Sequence, residues 1–154
     1  MKSKKSLTPD YLALENQFCF ALYSSSLAMT KTYKPLLDQL GLTYPQYLVM
    51  LVLWKQDQLL VKEIGELLFL DSGTLTPLLK RLEAAGLLKR VRDSEDERQV
   101  RITLTESGHA LRKTAEAIPA QILCASGLST DNLSQLRGEL QQLRDELNRH
   151  LAHS

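Results

Sequence analysis

The spacing of apolar residues changes in mid-chain, and that change limits the folds open to this sequence. From Lys62 the run reads KEIGELLFLDSGTLTPLLKRLEAAGLLKRVRDSEDERQVRITLT. Leu75, Leu78, Leu79 and Leu82 stand at i, i+3, i+4 and i+7, one stripe of an α-helix. Farther on, Val100, Ile102 and Leu104 alternate with Arg101 and Thr103, the pattern of a half-buried strand. Leu87, Leu88 and Val91, interleaved with Lys89, Arg90 and Arg92, predict a preceding strand, and the hydrophilic run Asp93 to Arg98 a turn between the two. A shorter helix from about Val61 to Leu68, burying Ile64, Leu67 and Leu68, comes first. Helix, turn, helix and two-stranded wing is the order of a winged helix-turn-helix, whose second helix enters the major groove of DNA.

The outward side of that second helix suits such a role. It carries Gly73, Thr76, Pro77 and Lys80, flanked by Ser72, Thr74 and Arg81. Small hydroxyls with a few cations match base edges and phosphates. Asp71, Ser72 or Thr74 can cap its start, and Gly86 suits the position just past its end. Pro77 costs nothing if Thr74 is the cap, because the missing N–H then falls in the first turn; an earlier start loses one backbone bond. A helical hairpin with no DNA role has the same pattern, and only the wing after it separates the two readings.

Charge adds a constraint. The chain has 154 residues, 44% hydrophobic and 24% charged, which suits one soluble domain with a substantial core. The net charge is only +1, so no global field draws it to nucleic acid. Between Ser72 and Arg101 seven basic residues face five acidic ones, so arrangement, not excess, must carry any DNA binding.

The flanks read as helices. Met1 to Lys5 is basic, but Asp10 and Glu15 interrupt the next stretch, and no apolar run is long enough for a signal peptide or a membrane span; a cytoplasmic protein without a membrane partner is expected. A first helix starts near Pro9 or Asp10 with Thr8 as cap, continues through Leu14, Phe18, Ala21, Leu22 and Ser25 to about Tyr33, and meets a break at Pro35. Cys19 falls inside it. A second helix, about Pro45 to Trp54, is dense in apolar residues, with Thr43 or Tyr44 near its cap, and Leu59 and Leu60 can add a short strand to the wing sheet. Thr105 caps a helix that opens at Glu106 and runs to about Ala125, bent at Pro119. After a turn at Ser126 to Thr130, the last helix shows Leu133, Leu136, Leu140, Leu143, Leu147 and Leu151, nearly a heptad stripe. Such a stripe suits dimerisation against the first helix; packing within one subunit is the alternative.

A cytoplasmic chain with two cysteines is a poor candidate for a permanent disulfide, which leaves Cys19 and Cys124 as buried hydrophobes, reactive thiols or metal ligands. His109, His150 and His153 show no ligand spacing with either, so no metal is expected. No nucleophile triad, phosphate-binding glycine loop or HExxH is present, and no cofactor is expected.

Two stretches carry a family resemblance. Asp96 to Thr105, reading DERQVRITLT, resembles the wing of the MarR family of bacterial regulators. The resemblance implies that Arg98 reaches into the minor groove while Asp96 orients it by a charge-assisted hydrogen bond. Without it, the acidic tip reads as a solvated turn. Across the chain it implies a single MarR-type domain over 1–154, mainly α with a small β-wing. Residues 45–104 would form the DNA-binding part, and 8–40 and 106–151 the helices that interlock a homodimer on palindromic double-stranded operator DNA. The DNA-facing candidates are Ser72, Thr74, Thr76, Lys80, Arg81, Arg92, Asp96 and Arg98. The second stretch, ENQFCFALYSSSLAMTKTYKPLLDQLGLTYPQY, resembles the organic-hydroperoxide-sensing branch, the OhrR type. That resemblance implies that Cys19 is the peroxide-reactive thiol, that Tyr33 and Tyr44 of the other subunit hydrogen-bond its thiolate, and that Cys124 is a resolving cysteine reached between subunits. It also implies repression relieved by organic hydroperoxides.

The chemistry has its own requirements. A thiolate attacks a peroxide oxygen and becomes a sulfenic acid. Phenolic donors stabilise the anion, while apolar neighbours such as Phe18, Phe20, Leu22 and Met29 favour a greasy peroxide but oppose ionisation. Two other functions fit the same residues: a MarR-type regulator answering a non-covalently bound phenolic ligand, and a thiol peroxidase turning over through Cys19 and Cys124.

Overall fold

A computed structural model describes residues 8–154, and the basic start Met1 to Lys5 lies outside them. Among the described residues seven helices and three strands run in the order α1 (Phe18–Asp38), α2 (Tyr44–Lys55), β1 (Leu59–Leu60), α3 (Val61–Leu68), α4 (Ser72–Ala84), β2 (Leu88–Arg92), β3 (Val100–Leu104), α5 (Glu106–Ala115), α6 (Ile118–Ser126) and α7 (Thr130–Ala152), after a 3₁₀ turn at Leu14–Asn16. The strands form one antiparallel sheet in the order β1-β3-β2, with Leu59 opposite Ile102 and Arg90 opposite the same residue from the other side. The chain is therefore mainly α with a small wing, as the change of period predicts.

The core lies where α2, α3 and α4 meet the sheet. Met50, Leu53, Ile64, Leu75, Leu79 and Ile102 have no more than 1% of their surface exposed. Each such side chain contributes about 1.5–3 kcal/mol relative to an exposed one. The predicted α4 stripe is buried in full.

Local chemistry explains the element ends. Thr43 accepts from the Gln46 N–H and the Gln46 side chain returns to the Thr43 N–H, a capping box in which Pro45 fills a position that needs no donor. Asp71, one of three candidates, caps α4 through the Thr74 N–H at 2.7 Å. The helix thus starts early enough that Pro77 forfeits one backbone bond near its N-terminus. At the other end Leu87 N bonds Leu82 O and Gly86 N bonds Glu83 O, with Gly86 at φ +78. This is the paired closure that a left-handed glycine permits. Thr105 caps α5, as expected.

Four expectations are corrected. The first helix begins at Phe18, not near Pro9. Asp10 accepts from the Leu12 N–H, and the Asn16 and Gln17 side chains donate to the carbonyls of Asp10, Tyr11 and Ala13, so side chains take the backbone groups a helix would use. Pro35 does not break α1, which continues to Asp38. The carbonyl it leaves unbonded belongs to exposed Lys31, where water can serve it. Leu67 is 59% exposed. The inward face of α3 is set by Ile64, Gly65 and Leu68, and Leu67 lies about 110° around the helix from its centre. Finally, Glu106 to Ala125 is not one bent helix. It divides into α5 and α6, with Pro119 in the first turn of the second, where its lost donor is harmless.

The last helix stands apart: none of its side chains is buried, and Leu136, Leu140, Leu147 and Leu151 are 40–67% exposed. Packing within one subunit, the alternative for this stripe, is only partial in the single chain: Leu133 and Leu143 are half-buried, and Leu22 of α1 lines a shallow pocket with Leu140, Leu143 and Leu147.

Candidate DNA interface and thiol sites

The recognition side builds from α4 outward. Because Leu75, Leu78, Leu79 and Leu82 face the core, Ser72, Thr74, Lys80 and Arg81 stand exposed and Thr76 half-buried on the opposite side. The Thr74 and Gly73 N–H groups, with the Thr74 hydroxyl, hold the Asp71 carboxyl below its ordinary range, the Thr74 backbone bond first. An open groove of about 830 Å³ runs between α3, the first turns of α4 and the wing, and it brings Ser72, Thr76 and Arg98 together. Lys62 and Gln99 line it too. Neither was a candidate from sequence: Lys62 precedes the basic stretch, and its only signal was an exposed position at the start of α3.

On the wing, Asp96 Oδ1 accepts from both Arg98 N at 3.1 Å and Arg98 Nε at 3.2 Å. The Arg98 side chain is otherwise 92% exposed at the tip. The hydrogen bond expected between this pair is therefore present. Other cations in the stretch are committed within the fold. Arg90 binds Glu83 through Nε at 3.2 Å and its own N–H at 2.9 Å, and that backbone bond is the main cause of a lowered Glu83 pKa. Arg92 Nη1 donates to the Glu97 carbonyl at 3.0 Å, which braces the wing turn from a position expected to face DNA. Arg101 ties the base of the wing to Asp93 and Gln58.

The second set of candidates lies on α1, α2 and α6. Cys19 is the second residue of α1 and Cys124 lies in α6; both are free and exposed. Neither is a buried hydrophobe in the single chain. Around Cys19 the α1 surface is apolar, with Phe18 65%, Phe20 42% and Leu22 42% exposed. Tyr33 and Tyr44 are brought together, their ring centres 4.9 Å apart. Buried Tyr47 completes the group at 5.9 Å and 6.3 Å from them, and Trp54 stands edge-on to it at 6.5 Å. Burial, with the neighbouring phenols adding, pushes the Tyr33 pKa up to about 12, and burial raises those of Tyr44 and Tyr47. These hydroxyls stay protonated donors at any physiological pH. Tyr33 lies fourteen residues beyond Cys19 on one continuous helix, roughly 21 Å along its axis, so the two do not meet within one chain.

Among the described residues, no group of histidine, cysteine and carboxylate side chains could hold a metal ion, and no helix is long and apolar enough to cross a membrane.

Comparison with known proteins shows the family. The family described as transcriptional regulator SarA/Rot matches residues 31–114, more than half of the chain. The organic hydroperoxide resistance transcriptional regulator of Bacillus subtilis (strain 168) is 55% identical over 138 residues, covering 90% of this chain and 94% of that protein. Among solved structures, reduced AbfR bound to DNA superposes with a TM-score of 0.71 at 42% identity, covering 87% of this chain and 94% of that one. Disulfide-formed AbfR gives 0.62 at 40% identity, covering 84% and 91%. AbfR is from Staphylococcus epidermidis. The chain thus superposes better on both DNA-bound forms of that relative, the overoxidized one giving a TM-score of 0.72, than on its disulfide form.

Proposed function

The chain belongs to the SarA/Rot transcriptional regulators, winged-helix proteins of the MarR type in the branch of the organic hydroperoxide resistance regulator, and from that premise we propose that it is a homodimeric repressor released from its operator when an organic hydroperoxide oxidises Cys19. The observation that carries this reading is the state of Cys19: a free, exposed thiol at the start of α1, set in an exposed apolar face. Exposed apolar area on this scale marks an interface. The leucine stripe of α7 is uncovered in the same way, and a second copy of the chain would cover both.

In that dimer the phenols that support the thiolate come from the partner, because the chain's own Tyr33 is out of reach. Two phenolic bonds to an anion, at about 1.5–3 kcal/mol each, outweigh the desolvation that apolar neighbours impose. The Cys19 thiolate attacks a peroxide oxygen, the O–O bond breaks, and the leaving alkoxide takes a proton to become an alcohol. The sulfenic acid then condenses with the Cys124 thiol, giving a disulfide and water. Emptying the operator requires about 5 kcal/mol of difference between the two states, which a disulfide that forces α1 and α6 into a new relation can supply.

The test is DNA retention on the protein's own upstream region, with and without a stoichiometric organic hydroperoxide, for wild type and Cys19→Ser. Wild type should let go and Cys19→Ser should hold. Release of both would leave the thiol a bystander and favour a bound phenolic inducer. Many peroxide molecules consumed per subunit with a thiol reductant would favour the peroxidase.

A further inference from the structure

Although no side chain of α7 is buried, Arg144 crosses from it to the reading head. Its guanidinium carbon lies 4.2 Å from the centre of the Phe69 ring. The edge of the guanidinium is already occupied, since Nε donates to Asp145 Oδ1 at 3.1 Å and Nη2 pairs with the same oxygen at 3.1 Å. The guanidinium thus stands over the Phe69 ring, the position in which a cation is attracted to an aromatic face.

Phe69 has an unusual place in the fold. It ends α3 in the left-handed region, at φ 57 and ψ 37, a conformation that a bulky residue holds only where its surroundings enforce it. Two residues later Asp71 caps α4. The ring that Arg144 covers thus hangs from the turn that sets the angle between α3 and α4. At the opposite end, α7 comes after α6 through Gly127, which has φ 68 and lies three residues after Cys124.

We propose that the Arg144–Phe69 contact is a strut through which α7 fixes the orientation of the reading head, and that Arg144 is a positioning residue for recognition of a paired operator. This rests on the dimeric, operator-binding reading above. With α7 in the shared body of the dimer, each strut sets where its own α4 points, and the two together set the spacing of the recognition helices. The same strut passes a displacement of α6 to the turn before α4. A contact of this type at an exposed site shifts an equilibrium about two- to fivefold, so two of them compound to roughly five- to twenty-five-fold.

The experiment uses full-length, reduced protein and two duplexes, one holding the paired operator of its own upstream region and one holding a single half-site. Arg144→Ala and Phe69→Leu should each weaken binding to the paired operator by about five- to twenty-five-fold while changing binding to the single half-site by less than about twofold. The double variant should be no worse than either single one, because both remove the same contact. Phe69→Tyr, which keeps a ring face, should stay within about twofold of wild type. Circular dichroism should show all variants folded, since both side chains are largely exposed. Equal losses on the two duplexes, additive losses in the double variant, or no loss at all would each overturn the strut. A final arm adds cumene hydroperoxide: the strut predicts a smaller drop in affinity on oxidation for Arg144→Ala than for wild type. If oxidised wild type keeps its full affinity, the redox reading fails, and the reduced-state arms still decide the strut. If wild type binds neither duplex, the DNA-binding reading fails and the strut falls with it.

Discussion

Arg101 donates through Nε and Nη2 to one oxygen of Asp93, at 3.2 and 3.1 Å, and that carboxylate is 91% buried on its side chain. Its third branch reaches the carbonyl of Gln58, in the turn before β1. One guanidinium therefore joins the end of β2, the middle of β3 and the approach to β1. Arg101→Leu removes the fork and leaves a buried carboxylate without its partner, at a cost of about 1–3 kcal/mol. For a chain of this size that corresponds to roughly 3–10 °C in Tm. Arg101→Lys should recover only part of it, because a point charge cannot serve both acceptors. Thermal unfolding of the two variants checks this. An unchanged Tm for Arg101→Leu would show that the clamp contributes nothing.

Gly108 makes a second prediction about the frame under the wing. The Trp54 Nε1–H donates to its carbonyl at 2.9 Å, and a Cβ at this position would collide with the carbonyl oxygen of Leu87. Gly108→Ala must push α5 away from the sheet and lose the Trp54 bond as well, with an expected loss of about 2–3 kcal/mol. Chemical denaturation followed by Trp54 fluorescence reads both effects. A substitution tolerated within about 0.5 kcal/mol would mean that α5 is not seated as described.

Why some of this was legible in the sequence and some was not comes down to the range of the interactions. The buried α4 stripe, the Thr43 and Thr105 caps and the left-handed Gly86 depend on neighbours within a few residues, and each was readable from spacing. The Asp96–Arg98 pair is equally local, although only the family resemblance singled it out. The late start of α1 depends on Asp10, Asn16 and Gln17 binding backbone groups that the apolar pattern would assign to a helix. Arg101 counted only as one more cation of the basic stretch, because its partners Asp93 and Gln58 stand 8 and 43 positions away. Tyr47 was only one of several tyrosines until the fold packed it against Tyr33 and Tyr44. The α7 stripe was legible as a contact surface, yet no periodicity could say that Arg144 beside it would reach Phe69.

The tyrosine cluster has a pH signature. Tyr33 titrates at about 12 rather than its ordinary 10.0, with burial as the main cause. Because the folded value is the higher one, this group's contribution to stability is full below pH 10 and is lost as pH rises from 10 toward 12. Absorbance of phenolate during alkaline titration should therefore show Tyr33 ionising late, together with the onset of unfolding. Tyr33→Phe should remove the latest step. Complete ionisation by about pH 10, with no late step that Tyr33→Phe removes, would contradict the buried cluster.

Asp96 offers a test in which two readings of the wing predict opposite signs. If the tip is only a solvated acidic turn, removing a negative charge near phosphates should tighten DNA binding slightly. If Asp96 exists to aim Arg98, as the 3.1 and 3.2 Å bonds allow, Asp96→Ala should weaken it, because the freed guanidinium must be ordered again on binding. Arg98→Ala should then cost about 1–3 kcal/mol, flatten the preference for a narrow, A·T-rich minor groove beside each half-site, and leave little further effect for Asp96→Ala in the double variant. Lys80→Ala serves as the contrast, since an exposed cation on α4 that meets phosphate should weaken all sequences alike and lower the salt dependence by about one ion per contact. Titrations of the three single variants and the double variant against A·T-rich and G·C-rich flanks at two salt concentrations separate the cases. Tighter binding by Asp96→Ala, with no change of flank preference in Arg98→Ala, would return the wing tip to the status of a solvated turn.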